Sequence, residues 1–285
     1  MEKTNPYLSV IIPAYNEETR LGRTLEEIFM WLSNQPFAYE ILVLCGDSKD
    51  RTDDVAKFYK AKLPHLRVIF ERENHGKGYV IRKGMLEAKG EIHLFTDADN
   101  STSIEHFEKM KRFFDQGYDI VIGTRDCRDH PEAIQAVPQS KHRQFAGELG
   151  NLIIQLLVAP GIWDTQCGFK ALTAKAANEV FTRAVINSWG FDVEVLGLAR
   201  KLGFKIGIIP VYWKNDPRSH LKLSGYLDTL FEVVKIWWNL LWNKYGFRAA
   251  KAKRCLVDTS RIVRAVDSRT LLFSSALASL SHLDT

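Results

Sequence analysis

Ile92-His93-Leu94-Phe95-Thr96-Asp97-Ala98-Asp99 is the stretch on which the fold turns. An apolar run led in by Lys89-Gly90-Glu91 reads as a buried strand. The two carboxylates that close it, Asp97 and Asp99, fall at the carboxyl end of that strand, the edge at which open α/β sheets bind ligands. Hard oxygen donors in that place suit Mg²⁺ or Mn²⁺, ions that usually hold a phosphate as well. An Asp-x-Asp by itself also serves as a strand-end cap or turn, so its neighbours decide.

On the amino-terminal side, Leu8–Ala14 reads as a first strand, and Asn16-Glu17-Glu18 as the start of a helix reaching about Asn34, with Asn16 as N-cap. Strands follow at 39–44 and 66–70, with helices at 48–59 and 78–89. After the 91–96 strand come a helix at 103–116 and a strand at 119–123. This alternation implies an α/β fold, a mostly parallel central sheet with helices on both faces. Residues 126–143 are polar, contain Pro131 and Pro138, and read as a long mobile loop of the kind that covers active sites. Helices at 144–158, 174–183 and 190–201, a short strand at 169–172 and a last strand at 205–213 complete the domain.

A chain of 285 residues, 46% hydrophobic and 26% charged, has the composition of a folded protein and room for a large core. Its four cysteines are widely spaced, with no CxxC pair, which argues against a zinc site or disulfide framework and fits a reducing cytosol. The short polar start Met1–Tyr7 reads as carrying no signal peptide, and no run approaches the roughly 18 apolar residues of a membrane span. Between Arg200 and Arg254 there are 12 Lys/Arg against three acids, a local charge of +9 in a chain whose total is +5. The same region holds Trp237, Trp238 and Trp242, and that aromatic content points to an anionic membrane surface rather than nucleic acid. Over 225–245 the polar residues Asp228, Glu232, Lys235, Asn239 and Asn243 recur at spacings of 3 and 4 as one narrow stripe. Such a helix either packs on the domain or lies in a membrane interface. Residues 255–285 form a tail with no strong pattern.

Several short motifs occur together in order: Ser9–Glu18, Ser48–Thr52, Asn74–Gly78 and Thr96–Asp99, then Asp164–Lys170 and Trp189–Glu194. In this order they resemble the family 2 inverting glycosyltransferases of GT-A fold. The last two resemble the branch of dolichyl-phosphate β-glucosyltransferases and polyprenyl-phosphate mannosyltransferases. The resemblance covers about residues 7–215 and implies a GT-A domain at 1–222, an amphipathic, Trp-rich basic segment at 223–254, and the tail.

The resemblance implies roles residue by residue. Asp97 and Asp99 would hold the metal, with Asp97 nearer the ribose and Ser101 as a further ligand. The metal would act as a Lewis acid on the departing diphosphate. Pro13, Tyr15 and Glu17 would line the nucleobase and ribose; Glu17 is otherwise a helix-start acid. Lys77, in a glycine-flanked loop, would reach phosphate. Arg125 and Arg143 would meet the acceptor phosphate, where a guanidinium fork fits, or else form surface ion pairs. Asp164, Gln166, Asp192 and Glu194 would surround sugar and acceptor, with Asp164 or Asp192 the base if one is needed. Asp192 and Glu194 also fit as structural carboxylates at a helix start. Where the family carries Asp-Asp-Gly-Ser, this chain has Cys45-Gly46-Asp47-Ser48, which leaves Asp47 to substitute for the nucleobase acceptor.

The function implied is transfer of a hexose from a nucleotide-sugar to a polyprenyl or dolichyl phosphate by a peripheral protein on the cytoplasmic membrane face. UDP-glucose is the first expectation and GDP-mannose the second. Alternatives are a relative acting on a saccharide hydroxyl, a degenerate nucleotide-sugar binder, and a nucleotidyltransferase. The last is disfavoured by Tyr15-Asn16-Glu17-Glu18, where a glycine-rich basic loop would be needed.

Overall fold

Leu8–Ala14 is strand β1, buried at every position except Pro13, and it pairs in parallel with β2 (Tyr39–Cys45) on one side and β4 (Ile92–Thr96) on the other. A computed structural model of the chain describes residues 5–73, 75–135, 150–214 and 223–247. β3 (Leu66–Phe70) extends the sheet beyond β2. Between these strands run α1 (Leu21–Ser33), α2 (Thr52–Lys62) and α3 (Lys77–Glu87). A 3₁₀ turn (Ile104–His106) and α4 (Phe107–Asp115) lead to β5 (Ile120–Thr124). After the short β6 (Ile134–Gln135) and helix α5, described over 150–157, come β7 (Phe169–Thr173), α6 (Ala174–Phe181), α7 (Phe191–Leu202), β8 (Ile206–Pro210), β9 (Tyr212–Trp213) and α8 (Leu223–Leu241).

The seven-stranded sheet has the order β3-β2-β1-β4-β7-β5-β8, and a second sheet joins β6 to β9. Every neighbour in the large sheet is parallel except β7, which runs against both β4 and β5. The expected mostly parallel α/β sheet is therefore present, with one reversed strand whose direction the sequence does not reveal. Reversal has a consequence for the site. Phe169, the first residue of β7, lies opposite Thr96, the last of β4, so the segment leading into β7 reaches the same edge as the ends of the parallel strands. The chain order reverses between β1 and β4, and their pairing stops at Ile11 and Phe95. Past that point β1 continues with β2 alone, and Pro13, with no N–H to give, stands beyond the last β4 partner. A crevice at such a switch point is where open α/β sheets take ligands.

Two expectations are corrected. Asn16 is no N-cap: its φ is 56°, its side chain accepts from the Lys49 N–H (2.8 Å), and α1 begins at Leu21. The described part of the loop at 126–143 is tied rather than loose. Asp126 pairs with Arg128 (2.5 Å), Asp129 accepts from Thr124 Oγ1 (2.8 Å), and Ile134–Gln135 forms a strand pair with Tyr212–Trp213. Arg143 and the tail 255–285 lie outside the described residues, as do Asn74 and the first part of the 144–158 helix. The chain divides into units Met1–Gly246 and Phe247–Thr285, and α8 falls within the first.

Candidate active site

The Asp97–Asp99 turn is held in place from α1. Thr24 Oγ1 donates to the Ala98 carbonyl (2.7 Å), and Asn100, at φ 51°, reaches Glu27 through its amide. The Ser101 N–H donates to Asp99 Oδ1 (2.9 Å). Burial pushes the Asp99 carboxyl up, and the neighbouring Asp97 charge adds to it. Asp97 in turn takes Lys77 Nζ at 2.6 Å, and Lys77 lies 5.2 Å from the centre of the Trp189 ring. Gly168 makes room for the carboxylate: a β-carbon there would stand 2.0 Å from Asp97 Oδ2.

This donor set fits a divalent cation. It offers two carboxylates and the hydroxyl of Ser101, which is buried and meets Asp99 too loosely for a full hydrogen bond. Among the described residues no group of three or more His, Cys, Asp or Glu side chains gathers to cage a metal. One or two carboxylates with the rest left to water and phosphate is the habit of Mg²⁺ rather than of an all-protein cage. Asp97, Asp99 and Ser101 would hold the ion, which would supply charge neutralisation at a phosphate oxygen.

On the β1–β2 side, Tyr15 is 43% exposed and lies against Gly46, where a β-carbon would be 3.3 Å from its ring. Cys45 is fully buried and its thiol is pushed up to about 12, first by burial and then by Asp53, so it stays protonated. Asp47 is exposed and Pro13 half-buried. Glu17 is bound to Arg20 (2.5 Å), and burial raises its carboxyl against that pairing, with Asp99 and Asp97 adding. The turn bearing Glu17 is pinned by the Ser48–Thr52 motif: Thr52 Oγ1 accepts from the Glu17 N–H (2.7 Å) and Asp50 from the Glu18 N–H (3.1 Å).

The glycines around Lys77 allow a close backbone approach. Gly76 has φ 92°, and a β-carbon on it would stand 2.5 Å from the Asn187 carbonyl oxygen. On Gly78 it would meet the Ile186 carbonyl and Phe191 at 2.7 Å. They let the start of α3 abut the segment before α7, which sets where Lys77 emerges.

Arg125 leaves the end of β5 and is clamped by Asp164. Nε and one terminal nitrogen each contact a carboxylate oxygen at 2.7 Å, and the Arg125 N–H donates at 2.8 Å. The guanidinium lies 5.1 Å from the centre of the Trp213 ring. Burial would push the Asp164 carboxyl up, but Arg125 overrides it and holds it below the usual range. Asp129, which no motif marked, accepts from the Trp163 and Asp164 N–H groups (2.7 and 2.8 Å) as well as from Thr124. It thereby fixes the loop that carries Asp164.

Asp192 accepts from Lys170 Nζ at 2.5 Å, and Lys170, 0% exposed, also donates to the Cys167 carbonyl (2.6 Å). Burial raises the Asp192 carboxyl while Lys170 and Lys77 oppose it. Both candidate bases, Asp164 and Asp192, are thus ion-paired. Gln166, two residues after Asp164, is exposed. Glu194 turns away from the cleft, accepting from the Val185 and Ile186 N–H groups (3.0 and 2.9 Å) and the Tyr245 hydroxyl (2.8 Å). Of its two expected readings, structure supports the anchoring carboxylate.

Residues 9–181 match the family described as Glycosyl transferase family 2. Among curated relatives, the Dolichyl-phosphate beta-glucosyltransferase ALG5A of Trichomonas vaginalis is 33% identical over 240 residues, 81% of this chain and 72% of the relative. The Dolichyl-phosphate beta-glucosyltransferase of Drosophila melanogaster is 36% identical over 81% of this chain and 74% of its own. The human protein of that name is 34% identical over 75% and 69%. Among solved structures, mannosyl-3-phosphoglycerate synthase from Rubrobacter xylanophilus superposes with a TM-score of 0.60 at 18% identity, covering 89% of this chain and 79% of that one. Glucosyl-3-phosphoglycerate synthase from Mycobacterium tuberculosis, crystallised with Mn²⁺, UDP and phosphoglyceric acid, gives 0.56 at 18% identity, over 86% and 80%. The structural likenesses speak for the shared fold.

Proposed function

The chain belongs to glycosyl transferase family 2, and from that premise we propose that it transfers glucose from UDP-glucose to a dolichyl or other polyprenyl phosphate with inversion, using Mg²⁺ or Mn²⁺. The relatives named as dolichyl-phosphate glucosyltransferases support the substrate class. The observation that carries the chemistry is that Asp164 and Asp192 are both held by cations, Arg125 and Lys170, so neither stands free as a base. A phosphate acceptor needs none, because its oxygen is already anionic near neutral pH. It attacks C1 of glucose, the bond from C1 to the diphosphate oxygen breaks, and the electron pair leaves with UDP.

Asp97, Asp99 and Ser101 would hold a divalent cation, which would supply charge neutralisation at the diphosphate. Lys77 adds a positive charge to the same corner. Arg125, oriented by Asp164 and stacked near Trp213, positions the acceptor phosphate. Tyr15 and Asp47 at the β1–β2 end serve the nucleoside. Cys45 favours a second donor reading: a neutral thiol where the family places an acceptor loosens nucleobase choice, and GDP-mannose is the alternative.

One assay tests the proposal. The chain is incubated with Mg²⁺ or Mn²⁺, a short polyprenyl phosphate and labelled UDP-glucose or GDP-mannose. Label is expected in the organic phase with UDP-glucose, and its loss in Asp99→Ala. Donor hydrolysis alone, or transfer only to a soluble saccharide, would overturn it.

A further inference from the structure

Helix α8 is amphipathic in the reverse sense to an ordinary surface helix. Phe231, Val234, Trp238, Leu241 and Trp242, at spacings of 3, 4, 3 and 1, are 75, 46, 45, 60 and 61% exposed. The polar stripe partly turns inward. Asn239 is buried, and Glu232 accepts from Ser188 Oγ (2.5 Å) and the Gly190 N–H (2.8 Å) at the start of α7. The rest of the inner face is apolar: Val233 and Ile236 are buried, and a β-carbon on Gly197 of α7 would stand 3.0 Å from Leu240 and 2.7 Å from Val158, just after α5. The helix is thus clamped to the domain by both polar and apolar groups, yet leaves five large apolar side chains outside. On α5, Leu152 and Leu156 are likewise 39 and 70% exposed.

We propose that this outward face of α8 seats the enzyme in the interface of an anionic lipid bilayer, an inference that rests on the lipid-acceptor reading above. Two observations favour a bilayer over another protein surface. Two of the five side chains are tryptophans, Trp238 and Trp242, in ring contact at 5.4 Å, and this side chain prefers the headgroup level of membranes. Exposed Lys235 shares the face by spacing and exposed Lys244 follows it, giving cations to meet anionic headgroups. The face also adjoins the chemistry. Glu232 grips Gly190, one residue after the Trp189 ring that lies over Lys77, and the α5 side chain of Asn151 donates to the Trp163 carbonyl (2.6 Å), next to Asp164. A lipid-borne phosphate entering from the bilayer therefore arrives beside the segments that position Arg125.

The test uses the full chain and vesicles of phosphatidylcholine with and without phosphatidylserine. Wild-type protein is expected to sediment with the anionic vesicles and to show a blue-shifted tryptophan emission. Phe231→Ser with Trp242→Ser should lower the partition coefficient at least about tenfold, and Lys235→Glu with Lys244→Glu should lower it on anionic vesicles only. Turnover of a short polyprenyl phosphate in detergent should be unchanged in both variants, which shows that they fold. Vesicle binding as strong as wild type in the first variant would overturn the proposal. So would a lipid-free wild-type dimer that becomes monomeric in that variant, since a second copy would then cover the face. Sedimentation is read without any donor, so failure of the glucosyl-lipid assay with normal vesicle binding would sink the acceptor reading alone.

Discussion

Gly168 and Asp97 are in mutual van der Waals contact such that any side chain on the first displaces the carboxylate of the second, the added β-carbon falling 2.0 Å from Oδ2. Gly168→Ala is therefore expected to shift Asp97 and cut turnover about a hundredfold, the usual consequence of a misplacement near one ångström. Steady-state kinetics at rising Mn²⁺ would read it as a raised metal requirement. Wild-type rates in this variant would show that Asp97 has no part in the reaction.

Asp99→Asn should abolish transfer while stabilising the fold. Its carboxyl is raised by burial and by Asp97, so the folded state favours the protonated form. Stability contributed at this site is full below the ordinary carboxylate range and falls as pH rises through the raised value. At neutral pH the neutral amide removes that cost, and the melting temperature is expected to rise by about 2–4 °C for each kcal/mol recovered. Mn²⁺ should raise the melting temperature of the wild type and not of the variant.

Asp164→Ala leaves the Arg125 guanidinium without its partner, and breaking so buried a pair costs on the order of 3 kcal/mol. The sign of the pH effect is opposite to that of Asp99. The Asp164 carboxyl is depressed, so its contribution is present above the ordinary carboxylate value and is lost as pH falls through the depressed one. Wild type should lose stability against Asp164→Asn as acid titration passes below about pH 4, measured by circular dichroism melts.

Glu194→Ala is expected to be a stability variant and nothing more. It strands the Val185 and Ile186 N–H groups and the Tyr245 hydroxyl, at a cost of roughly 3 kcal/mol. KM for the sugar donor below the melting transition should match wild type; a tenfold rise would return Glu194 to the cleft.

The strands were legible because each is a buried run of apolar residues, and Asp97 and Asp99 because a carboxylate pair ends one of them. Arg125 was legible by its place after β5. The direction of β7 was not, since an isolated strand such as Phe169–Thr173 carries the same pattern either way and its neighbours are chosen in three dimensions. Asp129 was missed because its three donors come from Thr124 and from a segment 34 and 35 residues away. For the same reason the partners of Glu194 and Glu232 were not legible: the amides they satisfy lie in other parts of the chain. The α8 stripe left its orientation open, because polar spacing on a helix reports a face but not which way that face looks.

The reversed strand β7 also sets where this chain tolerates a change of length. Side chains on it alternate between the two faces of the sheet, and Lys170 reaches Asp192 only in the register that sets Phe169 beside Thr96. One inserted residue between Gly168 and Thr173 would turn Lys170 to the opposite face and leave Asp192 buried without its cation. A change of length ahead of Lys170 therefore costs the same buried ion pair as removing Lys170 itself. Insertions that leave activity intact should instead collect at Gly117, the exposed turn between α4 and β5, where a β-carbon would meet nothing within 4 Å.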